Sequence, residues 1–233
     1  MKGAVIIPVY NHGGQIGEVI RQALYLDLPI IVVDDGSTDT SPEILNSIKK
    51  ISVIRHAINR GKGAALLTGF AAAAEQNCTW AITIDGDGQH IPEDARSLLL
   101  AVPENRRSII VGSRQGMAGK NVPWTSRFGR GFSNFWVWVA GGPFITDSQS
   151  GFRLYPLPES LQLGVKAMRY QFEVEVLVRA RQRGMAVIEA PVQVVYQDRG
   201  ERVSHFRPWV DFWRNSATFS RLIFMRLFGV FRR

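Results

Sequence analysis

The chain has 233 residues, room for one large domain or two small ones, and with 45% hydrophobic and 21% charged residues it has the make-up of an ordinary globular protein. A single cysteine, Cys78, excludes an internal disulfide and fits a reducing compartment. The net charge of +8 is local: residues 206–233 hold six arginines against one acid, Asp211, which accounts for +5 of it. Such a basic segment suits anionic lipid, nucleic acid or an acidic partner. No run of 18 uncharged apolar residues is present to span a bilayer, and the apolar start, Met1 to Tyr10, is too short for a secretion signal.

In chain order, Ala4 to Val9 reads as a buried strand running into the loop Tyr10-Asn11. Gly14 to Leu26 has helical spacing in Ile16, Val19, Ile20, Ala23 and Leu24. Pro29 to Val33 is a second strand, closing on Asp34-Asp35-Gly36-Ser37-Thr38-Asp39. Ser41-Pro42-Glu43 marks a helix start, with Ser41 as cap and proline in the first turn, and the helix runs to about Lys49. Ile51 to Ile54 is a third strand, Ala64 to Glu75 a helix of small residues, and Trp80 to Ile84 a fourth strand. Pro92 opens a helix to about Leu100, and Ser108 to Gly112 is a fifth strand. Strands alternating with helices indicate a mostly parallel sheet with helices on both faces, which binds its ligands at the carboxyl ends of the strands. Tyr10-Asn11, Asp34-Asp35, Asp85-Asp87 and Ser113-Arg114 all fall at such ends.

Thr83-Ile84-Asp85-Gly86-Asp87-Gly88-Gln89-His90 is the stretch on which the chemistry turns. Two carboxylates one residue apart beyond a strand end can converge, and oxygen ligands of this kind suit Mg²⁺ or Mn²⁺ completed by substrate phosphates. Read by itself, the stretch is equally a polar turn after a buried strand. Asn59-Arg60-Gly61-Lys62-Gly63 is neither a P-loop nor a dinucleotide fingerprint, yet a lysine between glycines that opens a helix can face a phosphate. A solvated loop lysine is the plainer reading of Lys62.

Four motifs together, Ile7-Pro8-Val9-Tyr10-Asn11, Val32-Val33-Asp34-Asp35-Gly36-Ser37-Thr38-Asp39, Asn59-Arg60-Gly61-Lys62-Gly63-Ala64-Ala65 and Asp85-Gly86-Asp87-Gly88-Gln89-His90, resemble the family 2 glycosyltransferases. The branch they look most similar to contains the dolichol- and polyprenol-phosphate sugar transferases, and the resemblance covers about residues 3–205. It implies a single glycosyltransferase A type domain, a nucleotide-diphospho-sugar donor, Mg²⁺ or Mn²⁺, and inversion at the anomeric carbon. Carried onto this sequence, it puts Pro8, Val9, Tyr10, Asn11, Asp34, Asp35, Lys62 and Asp85 around the nucleotide sugar, and Asp85, Asp87 and Gln89 around the metal. It also brings Arg199 and Ser204 to the donor diphosphate, although the spacing there departs from the family. His12 stands where many relatives have glutamate, which leaves UDP and GDP both open as donor nucleotides.

The second half is expected to serve the acceptor. The resemblance turns Arg114, Arg127 and Arg130 toward an acceptor phosphate, for which the planar guanidinium is well shaped; surface arginines are the alternative. Phe128 to Ile145 is apolar around its whole circumference and reads as core or as a helix touching lipid. Thr146-Asp147-Ser148-Gln149-Ser150-Gly151-Phe152-Arg153 resembles the family's acceptor loop, with Asp147 as general base if the acceptor is a hydroxyl and as a positioning group if it is a phosphate. Phe172 to Arg183 is a helix capped by Gly184, and Val187 to Val195 an edge strand by virtue of Pro191. From Trp209 to Phe231 a helical wheel sets Arg214, Arg221 and Arg226 against Trp209, Phe212, Trp213, Phe219, Phe224 and Phe228, with Leu222 and Met225 out of place. That is the pattern of a helix lying in a membrane interface, or of one packed on the domain; aromatics opposite the arginines rather than among them argue against nucleic acid.

The expected organisation is a catalytic domain over 1–205, with a donor half over 1–114 and an acceptor half over 115–205, followed by a basic amphipathic tail over 206–233. The expected activity is metal-dependent inverting transfer of a sugar to a lipid-linked acceptor such as polyprenyl phosphate, by a cytoplasmic protein peripheral on the inner membrane face. A hydroxyl-acceptor transferase of envelope glycan or glycolipid, and a non-catalytic membrane-surface module, are the alternatives.

Overall fold

Strand β1 (Gly3–Val9) is buried along its whole length, and its side chains alternate between two cores. Ala4 and Ile6 enter one, and Val5, Ile7 and Val9 the other. A sheet buried on both faces needs helices on both, and the chain supplies them. The computed structural model describes residues 2–115, 124–194 and 208–228, with the side chains of 124–128 and 208–212 outside the description.

After β1 come α1 (Ile16–Ala23), a 3₁₀ turn over Leu24–Leu26, β2 (Ile30–Asp34), α2 (Ser41–Ser47) and β3 (Ser52–Arg55). The helix read as running from Gly14 to Leu26 is thus shorter, and the cap of α2 falls on Thr40, one residue before the expected Ser41. Next are α3 (Lys62–Glu75), β4 (Trp80–Thr83), a 3₁₀ turn over Pro92–Asp94, α4 (Ala95–Leu100), β5 (Ser108–Arg114) and α5 (Trp124–Val139). The chain continues through β6 (Arg153–Pro156), α6 (Glu159–Gln162), α7 (Phe172–Gln182), β7 (Ala186–Val192) and α8 (Pro208–Leu227).

The seven strands form one sheet in the order β3-β2-β1-β4-β6-β5-β7. All pairings are parallel except those of β6, which runs antiparallel to both β4 and β5. β7 is an edge strand, as Pro191 implies, while β6 was not foreseen. The donor and acceptor halves share this sheet, since β5 lies between β6 and β7. Helices α3 and α7 cover one face with Phe70 and Phe172 at the centre, and α1, α2 and α4 cover the other with Ile16, Leu45 and Leu98.

A third, smaller core joins α5, α7 and α8 through Val137, Ala140, Val174, Val178, Phe219 and Leu222. The tail helix therefore docks on the domain. Leu222, out of place on the wheel, is fully buried there. Arg221 reaches Glu175 at 2.5 Å, and Arg226 donates to the Val139 carbonyl at 2.7 Å, so two arginines of the polar face pair with the domain.

Candidate active site

The loops after β1 and β2 are laced together by the residues that make them polar. The amides of Asn11, His12 and Gly13 donate to the Ser37 hydroxyl, the Ser41 hydroxyl and Asp39, and Asn11 Oδ1 accepts the Thr38 amide. Asn11 pays for this corner with φ of 54°, a left-handed conformation that asparagine tolerates. Burial raises the Asp39 carboxyl, but hydrogen bonds from Ser41 and Gly13 outweigh it and leave the pKa below the usual value. Pro8, Val9, Tyr10 and Asn11 thus line the end of β1, beside Asp34 and Asp35 at the end of β2.

Asp34 accepts the Ser37 amide at 2.8 Å and faces Arg55 at 3.3 Å. Asp35 holds the loop that precedes α3: it accepts the amides of Arg60 at 2.9 Å and Gly61 at 2.7 Å, and it meets His56 Nδ1 at 2.7 Å. His56 in turn meets the Thr68 hydroxyl at 3.0 Å. So Asp35, expected to hold base or ribose, also shapes the turn that presents Lys62. Gly61 has φ of 103° and lies so close to Met168 and Arg169 that only glycine fits.

Lys62 lies at the centre. Its Nζ is 2.6 Å from Asp85 Oδ1 and 2.5 Å from Glu173 Oε1. Burial works against its charge, but the two carboxylates more than compensate and hold the lysine well above its ordinary range. Burial likewise pushes Asp85 up, and the charges of Lys62 and His90 bring it well below the usual carboxylate range. His90 Nε2 lies 3.8 Å from Asp85 Oδ2. Asp87 accepts the amide of Gln89, which is itself buried. A Cβ at Gly151 would come within 2.7 Å of both Asp85 oxygens and Lys62 Nζ, so the loop that ends at Gly151 presses directly on the Lys62–Asp85 pair.

Among the described residues no three acidic, histidine or cysteine side chains gather around one point. Asp85 and Asp87 are oxygen donors two residues apart, chemistry of the kind that hard divalent cations such as Mg²⁺ or Mn²⁺ accept, with Asp85 taken by Lys62 in this structure.

The loop from Thr146 to Gly151 is held from every side. Asp147 is buried and receives Arg114 in a two-pronged contact, Nε to Oδ2 at 2.6 Å and the terminal nitrogen to Oδ1 at 2.8 Å. Glu189 on β7 accepts the Thr146 amide, the Thr146 hydroxyl and the Asp147 amide. Asn134 on α5 bridges the Thr146 carbonyl and the Ser148 amide. Arg153, with no exposed surface, donates to the carbonyls of Ser148, Ser150 and Glu173. Beside this loop lies a mainly apolar groove of about 480 Å³, lined by Phe135 and Trp138 of α5 and by Phe144 and Ile145, with Arg130, Asn134 and Thr146 as its polar residues. Arg127 lies in α5 with its side chain outside the description, and Arg199 and Ser204 lie outside the described residues.

Glu173, Glu189, His56 and Asn134 were not singled out from the sequence. One signal was available: Phe172-Glu173-Val174-Glu175-Val176 sets acids inside an apolar helix, where a buried charge needs a partner.

The mostly parallel sheet thus gathers, at the carboxyl ends of its strands, the Asp34-Asp35 loop, a half-buried lysine and two aspartates. Residues 4–161 match the family described as Glycosyl transferase family 2, and the chain belongs to that family and is a glycosyltransferase. The UDP-N-acetylglucosamine–dolichyl-phosphate N-acetylglucosaminyltransferase of Methanococcus voltae is 31% identical over 215 residues, covering 83% of this chain and 86% of that one. The polyprenol monophosphomannose synthase of Mycolicibacterium smegmatis is 28% identical over 212 residues, covering 84% and 78%. Among solved structures, mannosyl-3-phosphoglycerate synthase from Rubrobacter xylanophilus matches all of this chain and 76% of its own, with a TM-score of 0.67 at 16% identity, a likeness of fold.

Proposed function

We propose that the protein transfers a sugar, with inversion, from a nucleotide-diphospho-sugar to a polyprenyl-phosphate type of lipid acceptor. The observation that carries this reading is the apolar groove lined by Thr146, the residue before the Arg114–Asp147 pair, on the loop whose Gly151 meets Asp85. A long isoprenoid chain fits an apolar channel with a cationic rim, and Arg130 stands at that rim. The relatives named above act, by their names, on dolichyl and polyprenol phosphates.

The chain's own residues divide the work. The loops carrying Tyr10-Asn11 and Asp34-Asp35 hold the nucleoside, and Lys62 faces the diphosphate. Asp85 and Asp87 would hold Mg²⁺ or Mn²⁺, which when bound stabilises the charge that develops on the leaving diphosphate. Asp147 orients Arg114, a two-pronged pair whose geometry belongs to positioning rather than to proton removal. A phosphate acceptor is already anionic and needs no base, so this pairing favours it over a hydroxyl.

The described residues contain no helix long and apolar enough to cross a membrane. Phe135, Trp138, Phe144, Phe224, Leu227 and Phe228 are exposed on α5, α8 and the adjoining loop, and they would rest in the interface of the membrane that carries the acceptor, on its cytoplasmic face.

The test is transfer from labelled nucleotide sugars with Mn²⁺ to polyprenyl phosphate in detergent. The expected product partitions with lipid and loses its sugar in mild acid, as a glycosyl phosphate does. A product stable to mild acid favours a hydroxyl acceptor, and no transfer with any lipid extract overturns the reading. Asp147→Asn separates the acceptors further: about a tenfold loss accompanies a positioning role, and a loss of roughly a thousandfold or more a general base.

A further inference from the structure

Glu173 lies in the first turn of α7, its side chain only 8% exposed, on a helix with apolar residues to either side. A carboxylate so placed is costly without a cation beside it, and Lys62 stands there. Lys62 therefore has two anionic partners from opposite halves of the chain, Asp85 at 2.6 Å and Glu173 at 2.5 Å. One lysine is thus shared between two carboxylates. Glu173 does not depend on Lys62 for its place, because its carbonyl accepts Arg153 at 2.8 Å and its backbone is part of a helix packed on the sheet. No side chain intervenes at the contact of Lys62 with Asp85, since the facing residue is Gly151.

We infer that Glu173 is a positioning residue of the donor site: it gives Lys62 a second anchor, so that Asp85 can be taken over by a divalent cation without leaving the lysine charge unpaired. This rests on the reading of Asp85 and Asp87 as cation ligands. With Glu173 in place, Lys62 would keep a carboxylate partner when Asp85 is given over to a divalent cation, and would remain beside the diphosphate. With Glu173 neutral, Asp85 is the carboxylate left to Lys62. The lysine then holds Asp85 against the incoming cation and repels that cation at short range. The role acts through Lys62 and involves no contact between Glu173 and the reacting atoms.

The experiment is titration of Mn²⁺ onto the full chain, followed by the electron paramagnetic resonance signal of free Mn²⁺, with UDP and GDP each supplied in turn. Glu173→Gln keeps shape and hydrogen bonding and removes the charge. The expected result is a rise of about tenfold or more in half-saturating Mn²⁺. Metal-free nucleotide binding, followed calorimetrically, is expected to change by less than about threefold. In a Lys62→Gln background the same substitution is expected to add almost nothing, because the effect passes through the lysine. If Glu173→Gln does not fold, Glu173→Asp decides, with a rise of about threefold expected from its shorter reach. Wild-type Mn²⁺ uptake with an unchanged midpoint in the variant overturns this inference alone. Absence of Mn²⁺ uptake by the wild-type protein, with either nucleotide, overturns the cation reading and this inference with it.

Discussion

Gly151→Ala is the sharpest test of how donor and acceptor loops meet. The added methyl would come within 2.7 Å of Asp85 Oδ1, Asp85 Oδ2 and Lys62 Nζ. Ordinary contact asks those atoms to retreat by about 1 Å. The loop cannot give way easily, because the Gly151 carbonyl accepts the buried Thr83 hydroxyl at 2.6 Å and Arg153 holds the carbonyls of Ser148 and Ser150. Gly151 is not in the left-handed region, so alanine brings no backbone strain and the whole effect is steric. The atoms met are the ends of the Asp85 and Lys62 side chains, which can swing aside, so the stability cost is about 1 kcal/mol, a few degrees in Tm. A displacement of about 1 Å at the diphosphate site lowers kcat/KM by roughly a hundredfold. Thermal denaturation and initial rates at varied donor concentration read both. A variant with wild-type Tm and kcat/KM within about threefold of wild type would refute the close approach of the two loops.

Glu175 has no exposed side-chain surface and receives Arg179, Arg221 and the amides of Lys166 and Ala167. Glu175→Gln removes the charge that faces two arginines, one of them buried, and is expected to cost roughly 3–5 kcal/mol, seen as a drop of about 10 °C or more in Tm. The lowered pKa of Asp39 means that its contribution is complete above about pH 4 and is lost as pH falls through the folded value. Asp39→Asn should therefore flatten the decline of Tm between about pH 5 and pH 3, and an unchanged slope would discount those hydrogen bonds. Trp138→Ala and Phe144→Ala alter side chains that are 55% and 88% exposed, so folding should hold within about 0.5 kcal/mol. The lipid acceptor's KM should rise by about tenfold while that of the donor stays put. Equal effects on both would remove the groove from acceptor binding.

The sheet was legible where single runs carry the pattern. Ala4 to Val9, Pro29 to Val33 and Trp80 to Ile84 are apolar, short and bounded by polar turns, so their class and order could be read directly. β6 was not, because it is four residues long and opens with Arg153, whose burial is made tolerable only by carbonyls that the sequence does not place near it. Residues at strand ends, such as Asp34 and Asp85, were likewise visible as candidates. Their partners were not: Lys62 meets Glu173 across 111 positions, and Asp147 meets Arg114 across 33. The wheel of the tail foretold a two-sided helix but not which side the domain takes. Leu222 and Arg221 go inward because α7 offers Val178 and Glu175, and that is tertiary information.

The single reversed strand has a consequence for how such a catalyst can diversify. Parallel strands deliver only their carboxyl ends to one rim of a sheet. β6 runs the other way, with Arg153 opposite Thr83, so its leading end reaches the same rim from the other direction. The segment that enters it, from Thr146 to Gly151, can then be rewritten in length and chemistry while both neighbouring strands keep their register. One donor platform can in this way be matched to many recipients by exchanging a single entrance.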